Sequence, residues 1–215
     1  MAVAMTYNSL LDDVRSYLER GYSAVSDPLV FEQLPFLVNL AERRISRDIK
    51  TQGFQVVATL PLVSGVNVFQ KPDRWRETIS FNIFNSTTPR TPLYSRVYEY
   101  IRYHYPSDAV TGVPNYYGDY DYQHWIVAPT PNQAYTLEVI YNEIPQFLGD
   151  DIQSNWLTEY APNLLLYATL LEATPFLKND ERIATWQAFY ERALSALNAE
   201  DNKKVIDRTA SRQEV

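Results

Sequence analysis

The sequence predicts an α+β fold in which N- and C-terminal helices form a helical bundle, with an inserted antiparallel β region and an extended C-terminal arm. Apolar residues recur at every third or fourth position near both ends of the chain, whereas in the middle they alternate with polar residues. The apolar stripe then fades after Asn198. The expected parts are one helical domain over 1–53 and 148–201, a β-rich region over 54–147, and an arm over 202–215.

Two helices are predicted in the N-terminal part. The first has its apolar residues at helical spacing and is expected to end at Gly21. Asp27 and Pro28 are typical of a helix start. Asp at the N-cap can accept a backbone hydrogen bond, and proline is tolerated at the first helical position because the N–H of that position has no partner within the helix. Since proline disrupts a helix interior, we expect a short turn over 28–33 and a longer helix from Pro35 to about Lys50.

The inserted region is predicted to contain a β-meander followed by a hairpin. Alternating apolar residues flank a turn signal at Ser64-Gly65, and a third strand follows at Trp75–Phe84. Two later strands, at 125–128 and 135–141, flank a loop whose prolines remove no ladder hydrogen bond. Strands joined in this way run antiparallel to their neighbours.

Tyrosine is concentrated between the meander and the hairpin, where nine of the 17 tyrosines lie within residues 94–122. The spacing over 94–105 fits both a helical stripe and a strand face; we favour a short helix, followed by an extended loop over 106–123. Tyrosine combines a rigid apolar ring with a polar tip, which suits surfaces that become half-buried against a partner. The segment is therefore interpreted as a contact surface.

The C-terminal part is predicted to hold two further helices and a tail. Pro162 begins a helix that is apolar on most sides, which is typical of a central helix. Asn179 is the expected cap of the next helix, whose buried stripe includes Trp186 and Tyr190. The tail over 202–215 has too few large apolar residues to offset its ordering entropy, so it is either disordered or held by a partner.

The composition argues against several kinds of chemistry. With 19 basic and 26 acidic residues, the chain has a formal charge of −7 and is a poor candidate for holding a phosphate backbone. It has no cysteine and two histidines, which removes thiolate chemistry and most metal sites. We find no phosphate-binding, metalloprotease or nucleophile-elbow motif. We therefore expect no enzyme activity and no cofactor.

The sequence also predicts where the protein is found. No stretch approaches the ~20 apolar residues of a membrane span, and the N-terminus has no signal-peptide pattern. We expect synthesis and assembly in a cytoplasm, with no membrane contact.

An alternative reading uses the aromatic residues and carboxylates for sugar binding. Trp125 and the tyrosines could stack on sugar rings, and Asp119 or Asp121 could serve glycoside chemistry. Stacking on nucleic-acid bases is less favoured, because the charged residues within 94–122 are net acidic. A carbohydrate-binding or carbohydrate-active tail module therefore stays open.

Several stretches, taken in order, are shared with a known group of proteins. They are YNSLL from Tyr7, LVNLAERRI from Leu37, GVPNYY from Gly112, APTPNQAYTLEVIY from Ala128, NWL from Asn155, APNLLLYA from Ala161, LKNDER from Leu177, and Trp186. On these stretches the chain resembles the head-to-tail adaptor proteins of tailed bacteriophages, a group that includes podovirus tubular tail A proteins and connector-ring subunits.

The resemblance implies a structural virion protein at the head–tail junction. Such adaptors form a dodecameric ring under the portal protein, and their opposite face receives the next tail component, a nozzle or tail tube protein. Genomic DNA passes through the lumen without specific binding, which agrees with an acidic subunit that repels phosphate. An assembly chaperone absent from the finished particle is a further reading that stays open.

Two sets of contact residues are expected on this basis. Residues of the C-terminal arm would dock on the portal: Lys203, Lys204, Val205, Ile206, Arg208 and Arg212. A second set would contact a neighbouring subunit or the tail: Arg43, Arg44, Arg47, Tyr116, Tyr117, Tyr120 and Tyr122. The arginines share a helix face with Glu42, and this face is expected to meet water or a neighbour.

Overall fold

A computed structural model describes residues 4–49, 51–176 and 181–210, with residues 201–210 as backbone only. The chain divides into two compact units. The first, the helical unit, comprises Met1–Gly53 and Pro145–Val215, and the second, the β unit, comprises Phe54–Ile144.

The described residues form six α-helices and nine strands. The helices are α1 (Tyr7–Leu18), α2 (Pro28–Asp48), α3 (Tyr98–His104), α4 (Trp156–Tyr160), α5 (Pro162–Glu172) and α6 (Arg182–Ala210). The strands are β1 (Gln55–Leu62), β2 (Val68–Gln70), β3 (Trp75–Phe84), β4 (Thr91–Ser95), β5 (Thr111–Gly112), β6 (Tyr116–Asp119), β7 (His124–Ala128), β8 (Thr130–Pro131) and β9 (Tyr135–Glu143).

Helix α1 begins with a reciprocal cap. The Thr6 hydroxyl accepts the Ser9 N–H at 3.2 Å, and the Ser9 hydroxyl accepts the Thr6 N–H at 2.8 Å, so two otherwise unpaired donors are satisfied. The helix ends at Leu18, and Glu19 then takes a left-handed conformation. The end therefore comes before the predicted stop at Gly21.

Helix α2 runs through Pro35 without interruption, so the predicted restart at this proline is wrong. Pro35 lies on the exposed side of the helix, while Leu34 and Val38 are completely buried. Burial of a continuous apolar stripe therefore offsets the hydrogen bond that the proline removes.

Helix α5 is the core of the helical unit. It contacts α1, α2, α4 and α6, and seven of its eleven residues are buried. Because apolar side chains occupy nearly every face, the helix is stable only when enclosed by the others. The prediction of a central helix beginning at Pro162 is confirmed.

The β unit is built on a seven-stranded sheet in the order β1-β9-β3-β4-β6-β7-β2. Neighbouring strands are antiparallel except β4 and β6, which pair in parallel, and β5 and β8 form a separate parallel pair. One face of the sheet buries a core that includes Phe81, Trp125, Leu137 and Val139.

The predicted fold class is wrong in two respects. The β region is a mixed seven-stranded sheet with its own core, rather than an antiparallel insertion in a helical bundle. The chain passes through α3 between β4 and β6, and such a crossover makes parallel pairing possible. The predicted extended arm is also wrong over residues 202–210, which continue α6 as helix; the remaining arm residues lie outside the described range.

The tyrosine-rich segment contains more regular structure than predicted. The favoured short helix is present as α3. Residues 106–123, however, include β5 and β6 rather than forming one extended loop. In the described part of the chain, none of the helices has the length and apolar character needed to cross a membrane.

Candidate functional site

The predicted arginine face of α2 is largely occupied by contacts within the helical unit. Arg43 Nε donates to the side-chain oxygen of Asn39 at 2.8 Å, and its guanidinium lies 4.6 Å from the ring centre of Phe147. Arg44 Nε pairs with Glu172 Oε1 on α5 at 2.9 Å. The three arginines line a shallow groove of about 370 Å³ together with Leu40, Asp48 and Glu172. The face therefore stabilises the unit as well as offering partly exposed cations.

Glu42 lies on the same helix but is completely buried, so its expected exposure is wrong. The Leu148 N–H donates to both carboxylate oxygens, at 3.3 and 3.1 Å, and Asn155 Nδ2 donates to Oε1 at 2.6 Å. Burial raises the pKa of Glu42 to about 7, although these hydrogen bonds act to lower it. Because Glu42 is followed by two arginines in the sequence, the local pattern predicted an exposed residue rather than a buried carboxyl group.

The N-terminal part of α6 is attached to α2 by a buried tyrosine. The Tyr190 hydroxyl donates to Asp48 Oδ2 at 2.6 Å, and Tyr190 and Trp186 are both buried. Burial, followed by the neighbouring Asp48, raises the pKa of Tyr190. The rest of α6 extends from this anchored segment.

The predicted arm residues are placed only in part. Those on the backbone of α6 are Lys203, Lys204, Val205, Ile206 and Arg208, and their side chains lie outside the described part of the structure. Arg212 lies outside the described residues, as does the predicted cap Asn179.

The four predicted contact tyrosines divide between interior and surface. Tyr117 is buried and stacks on Phe81 with ring centres 4.1 Å apart. Tyr116 is half-buried next to Tyr100. Tyr120 and Tyr122 are exposed, so these two are the members of the set most accessible to a partner.

A buried lysine, Lys71, holds the loop that carries Asp119 and Asp121. No motif or local pattern around Lys71 predicted this contact. Lys71 Nζ lies 2.7 Å from Asp119 Oδ1 and donates a hydrogen bond to the Asp121 carbonyl oxygen at 3.0 Å. It also lies 3.7 Å from the centre of one Trp75 ring. Ion pairing and cation–π attraction both stabilise the buried ammonium. Asp119 therefore has a structural partner.

The residues proposed for sugar binding are poorly placed for it. Trp125 is completely buried, and its ring packs edge-on against Phe81 at 4.8 Å, so it has no face for a sugar. The Asp121 carboxylate accepts the backbone N–H groups of Gln123 and His124, each at 2.7 Å. Among the described residues no group of His, Cys, Asp and Glu is arranged to hold a metal ion.

The helical unit has an anchored long helix and an arginine-lined groove, and the β unit has exposed tyrosines, all of which are typical of contact surfaces. A model of the SU10 adaptor protein family matches residues 5–213, and the chain belongs to this family. It is thus a phage adaptor, a structural protein and a virion component. No curated protein matches the sequence. The resemblance to phage adaptors is confirmed, whereas the specific relation to podovirus tubular tail A proteins stays a prediction.

Proposed function

We propose that this chain is the ring subunit that joins the portal protein to the next tail component, a nozzle or tail tube protein, and lines the DNA exit channel. The supporting observation is that α6 is much longer than its segment anchored by Trp186 and Tyr190. The helix has 29 residues, or about 43 Å at 1.5 Å per residue. Over 182–200, where its side chains are described, the buried ones are Trp186 and Tyr190, which lie near its start. A helix that continues well past these two residues is suited to contact another protein.

The portal-docking segment is accordingly a helical arm. Lys203, Lys204, Val205, Ile206 and Arg208 lie on α6, and Arg212 follows it in sequence. Val205 and Ile206 provide apolar area, while the cations pair with acidic groups of the portal.

The ring is homo-oligomeric and dodecameric in this proposal and lies at the head–tail junction of the virion after assembly in the host cytoplasm. Each subunit carries a formal charge of −7, so the ring is strongly acidic. An acidic lumen repels phosphate, and genomic DNA passes through without specific binding. The role requires no enzyme activity and no cofactor.

Deletion of residues 203–215 tests the docking arm. Tyr190 and Trp186 remain in the truncated chain, so we expect a folded helical unit whose circular dichroism spectrum loses only the helical signal of residues 203–210. Binding to purified portal protein, imaged by electron microscopy and measured by co-sedimentation, should be lost. Portal binding equal to that of the full chain would refute the docking role.

Charge reversal of Arg43, Arg44 and Arg47 tests the proposed subunit contact on α2. Because Arg44 is paired with Glu172 inside the unit, ring formation must be compared with a variant that breaks this pair alone, Glu172→Gln. Loss of rings in the triple variant but not in the control supports a lateral contact. Rings in both would leave the arginines with a purely internal role.

The position in the particle has its own test. Mass spectrometry of purified virions and of isolated head–tail junctions should detect the chain in both. An assembly chaperone would instead be present in infected cells and absent from mature virions.

A further inference from the structure

The β unit contains long stretches of sequence without charged residues. Three uninterrupted stretches, 51–70, 109–118 and 122–137, contain no Asp, Glu, Lys or Arg, although charged residues make up 21% of the chain. All three contribute strands or turns to the β unit.

Backbone hydrogen bonds bring the turns of these stretches together. The Gly65 N–H donates to the Pro131 carbonyl at 2.9 Å, and the Asn132 N–H donates to the Gly112 carbonyl at 3.0 Å. The parallel pairing of β5 with β8 adds further contacts between the second and third stretches. The turns therefore form one connected surface.

The valines on this surface are exposed. Val63 and Val66 lie in the first turn, and Val110 and Val113 flank β5; their exposed fractions are 57%, 46%, 55% and 43%. The nearest acid in sequence, Asp108, is already paired with Arg102 and accepts a hydrogen bond from Asn67. Clustered exposed valines without charges are typical of the core of a protein interface.

Strand β1 extends the same surface along the edge of the sheet. Among the described strands it pairs with β9 alone, so its outer edge has no ladder partner in the described structure. Val57 is 61% exposed on its outward face, and Glu138, the acid opposite Thr59, is neutralised by Arg90 at 3.2 Å.

Natural proteins protect exposed edge strands with charged residues, prolines or bulges. Strand β1 has eight residues and no charge, and its single proline, Pro61, lies next to its last residue. An edge with so little protection is expected to be covered in the assembled protein.

We propose that this charge-free surface, formed by β1 and by Val63, Val66, Val110 and Val113, is where one copy of the chain contacts a second copy. Each copy carries a charge of −7, so two copies repel one another through most of their surfaces. A surface without charges is where they approach at least electrostatic cost. The inference rests on the proposed ring and adds a subunit contact on the β unit to the one proposed on α2.

The test introduces lysines into the surface as Val57→Lys and Val63→Lys, separately and together. The matched control is Val25→Lys, since Val25 is 94% exposed and belongs to the helical unit. Sedimentation velocity over a concentration series measures self-association. We expect the double variant to need at least tenfold higher concentration than the wild type, and the control to match the wild type.

A second measurement does not depend on lysine variants. The chain has no cysteine, so Val63→Cys and Val25→Cys each provide a single thiol. Assembly should slow maleimide labelling of Val63→Cys at least tenfold and leave Val25→Cys unaffected. Equal labelling of both thiols in the assembled state would overturn the inference.

The outcomes separate this inference from the proposed function. Normal self-association of the double variant overturns the surface and leaves the ring at the head–tail junction standing. A wild-type chain that stays monomeric over the whole series also overturns it. Self-association through the valines, with the chain absent from isolated junctions, supports the surface and contradicts the proposed function.

Discussion

Asn155 Nδ2 donates a 2.6 Å hydrogen bond to Oε1 of Glu42, a residue 113 positions earlier in the chain. The same Asn155 caps α4, because its side-chain oxygen accepts the N–H groups of Leu157 and Thr158. One amide side chain thus satisfies a helix start and a buried carboxyl group. This contact joins the beginning of the C-terminal helices to α2.

The buried carboxyl group predicts a pH-dependent stability. The pKa of Glu42 is raised from 4.5 to about 7, so the folded state binds the proton more tightly than the unfolded state. The stabilising contribution is fully present below pH 4.5 and is lost as the pH rises through about 7. Up to about 3 kcal/mol is expected over this range.

Glu42→Gln checks this prediction, because the amide has no charge to desolvate. Urea unfolding at several pH values between 5 and 8 should give a flatter dependence of the free energy of unfolding for this variant than for the wild type. The exposed Glu32→Gln, on the same helix, is the control and should retain the wild-type slope. An unchanged slope in Glu42→Gln would contradict the assignment.

Tyr190→Phe should loosen the attachment of α6. The variant loses the 2.6 Å hydrogen bond to Asp48 and keeps the buried ring. A hydrogen bond to a charged acceptor contributes about 1.5–3 kcal/mol, so we expect a destabilisation of about 2 kcal/mol in chemical unfolding. Tyr160→Phe, at an exposed tyrosine, should change stability very little. Equal effects of the two variants would show that the hydrogen bond to Asp48 is not important.

Gly118→Ala should destabilise the β unit. A Cβ at this position would lie 2.4 Å from the Arg96 carbonyl oxygen, and a backbone atom cannot move aside as a flexible side chain can. Overpacking of this kind costs about 1–3 kcal/mol. Gly149→Ala, where a Cβ would meet no atom within 4 Å, is the control in thermal unfolding. Identical melting temperatures for the two variants would contradict the close approach.

Lys71→Gln should disturb the loop that carries Asp119. The variant removes the 2.7 Å ion pair and the cation over the Trp75 ring, so the near-ultraviolet circular dichroism of tryptophan should change together with stability. We expect a loss of about 2 kcal/mol, since a buried charged group is replaced by one with fewer partners. Arg90→Gln breaks an exposed ion pair and should cost less than about 1 kcal/mol. A smaller loss of stability in Lys71→Gln than in Arg90→Gln would contradict the stabilising role of the Lys71 contacts with Asp119 and Trp75.

Local chemistry predicted several features correctly. The start of α5 at Pro162 and a short helix around Tyr98 follow from nearby residues. The start signal at Asp27-Pro28 is also in place, but the Asp27 side chain makes no cap hydrogen bond and the helix continues through the turn predicted there. The resemblance to phage adaptors was likewise present in short ordered motifs and is confirmed by the family match over 5–213.

Other features depended on contacts between distant residues. Pro35 stays within α2 because Leu34 and Val38 are buried, and periodicity alone does not weigh that gain against a lost hydrogen bond. Tyr117 was predicted at the surface with its neighbours, yet strand alternation directs it into the core against Phe81.

The sequence by itself determined the family, the order of helical and β segments, the acidity and the charge-free stretches, because these are properties of composition and local spacing. Only the tertiary structure decided that Glu42 is buried, that Lys71 meets Asp119 and that three uncharged turns form one surface. Each of these depends on which distant segments meet. The energies of burial and ion pairing depend on these long-range contacts, so they cannot be predicted from a local sequence pattern.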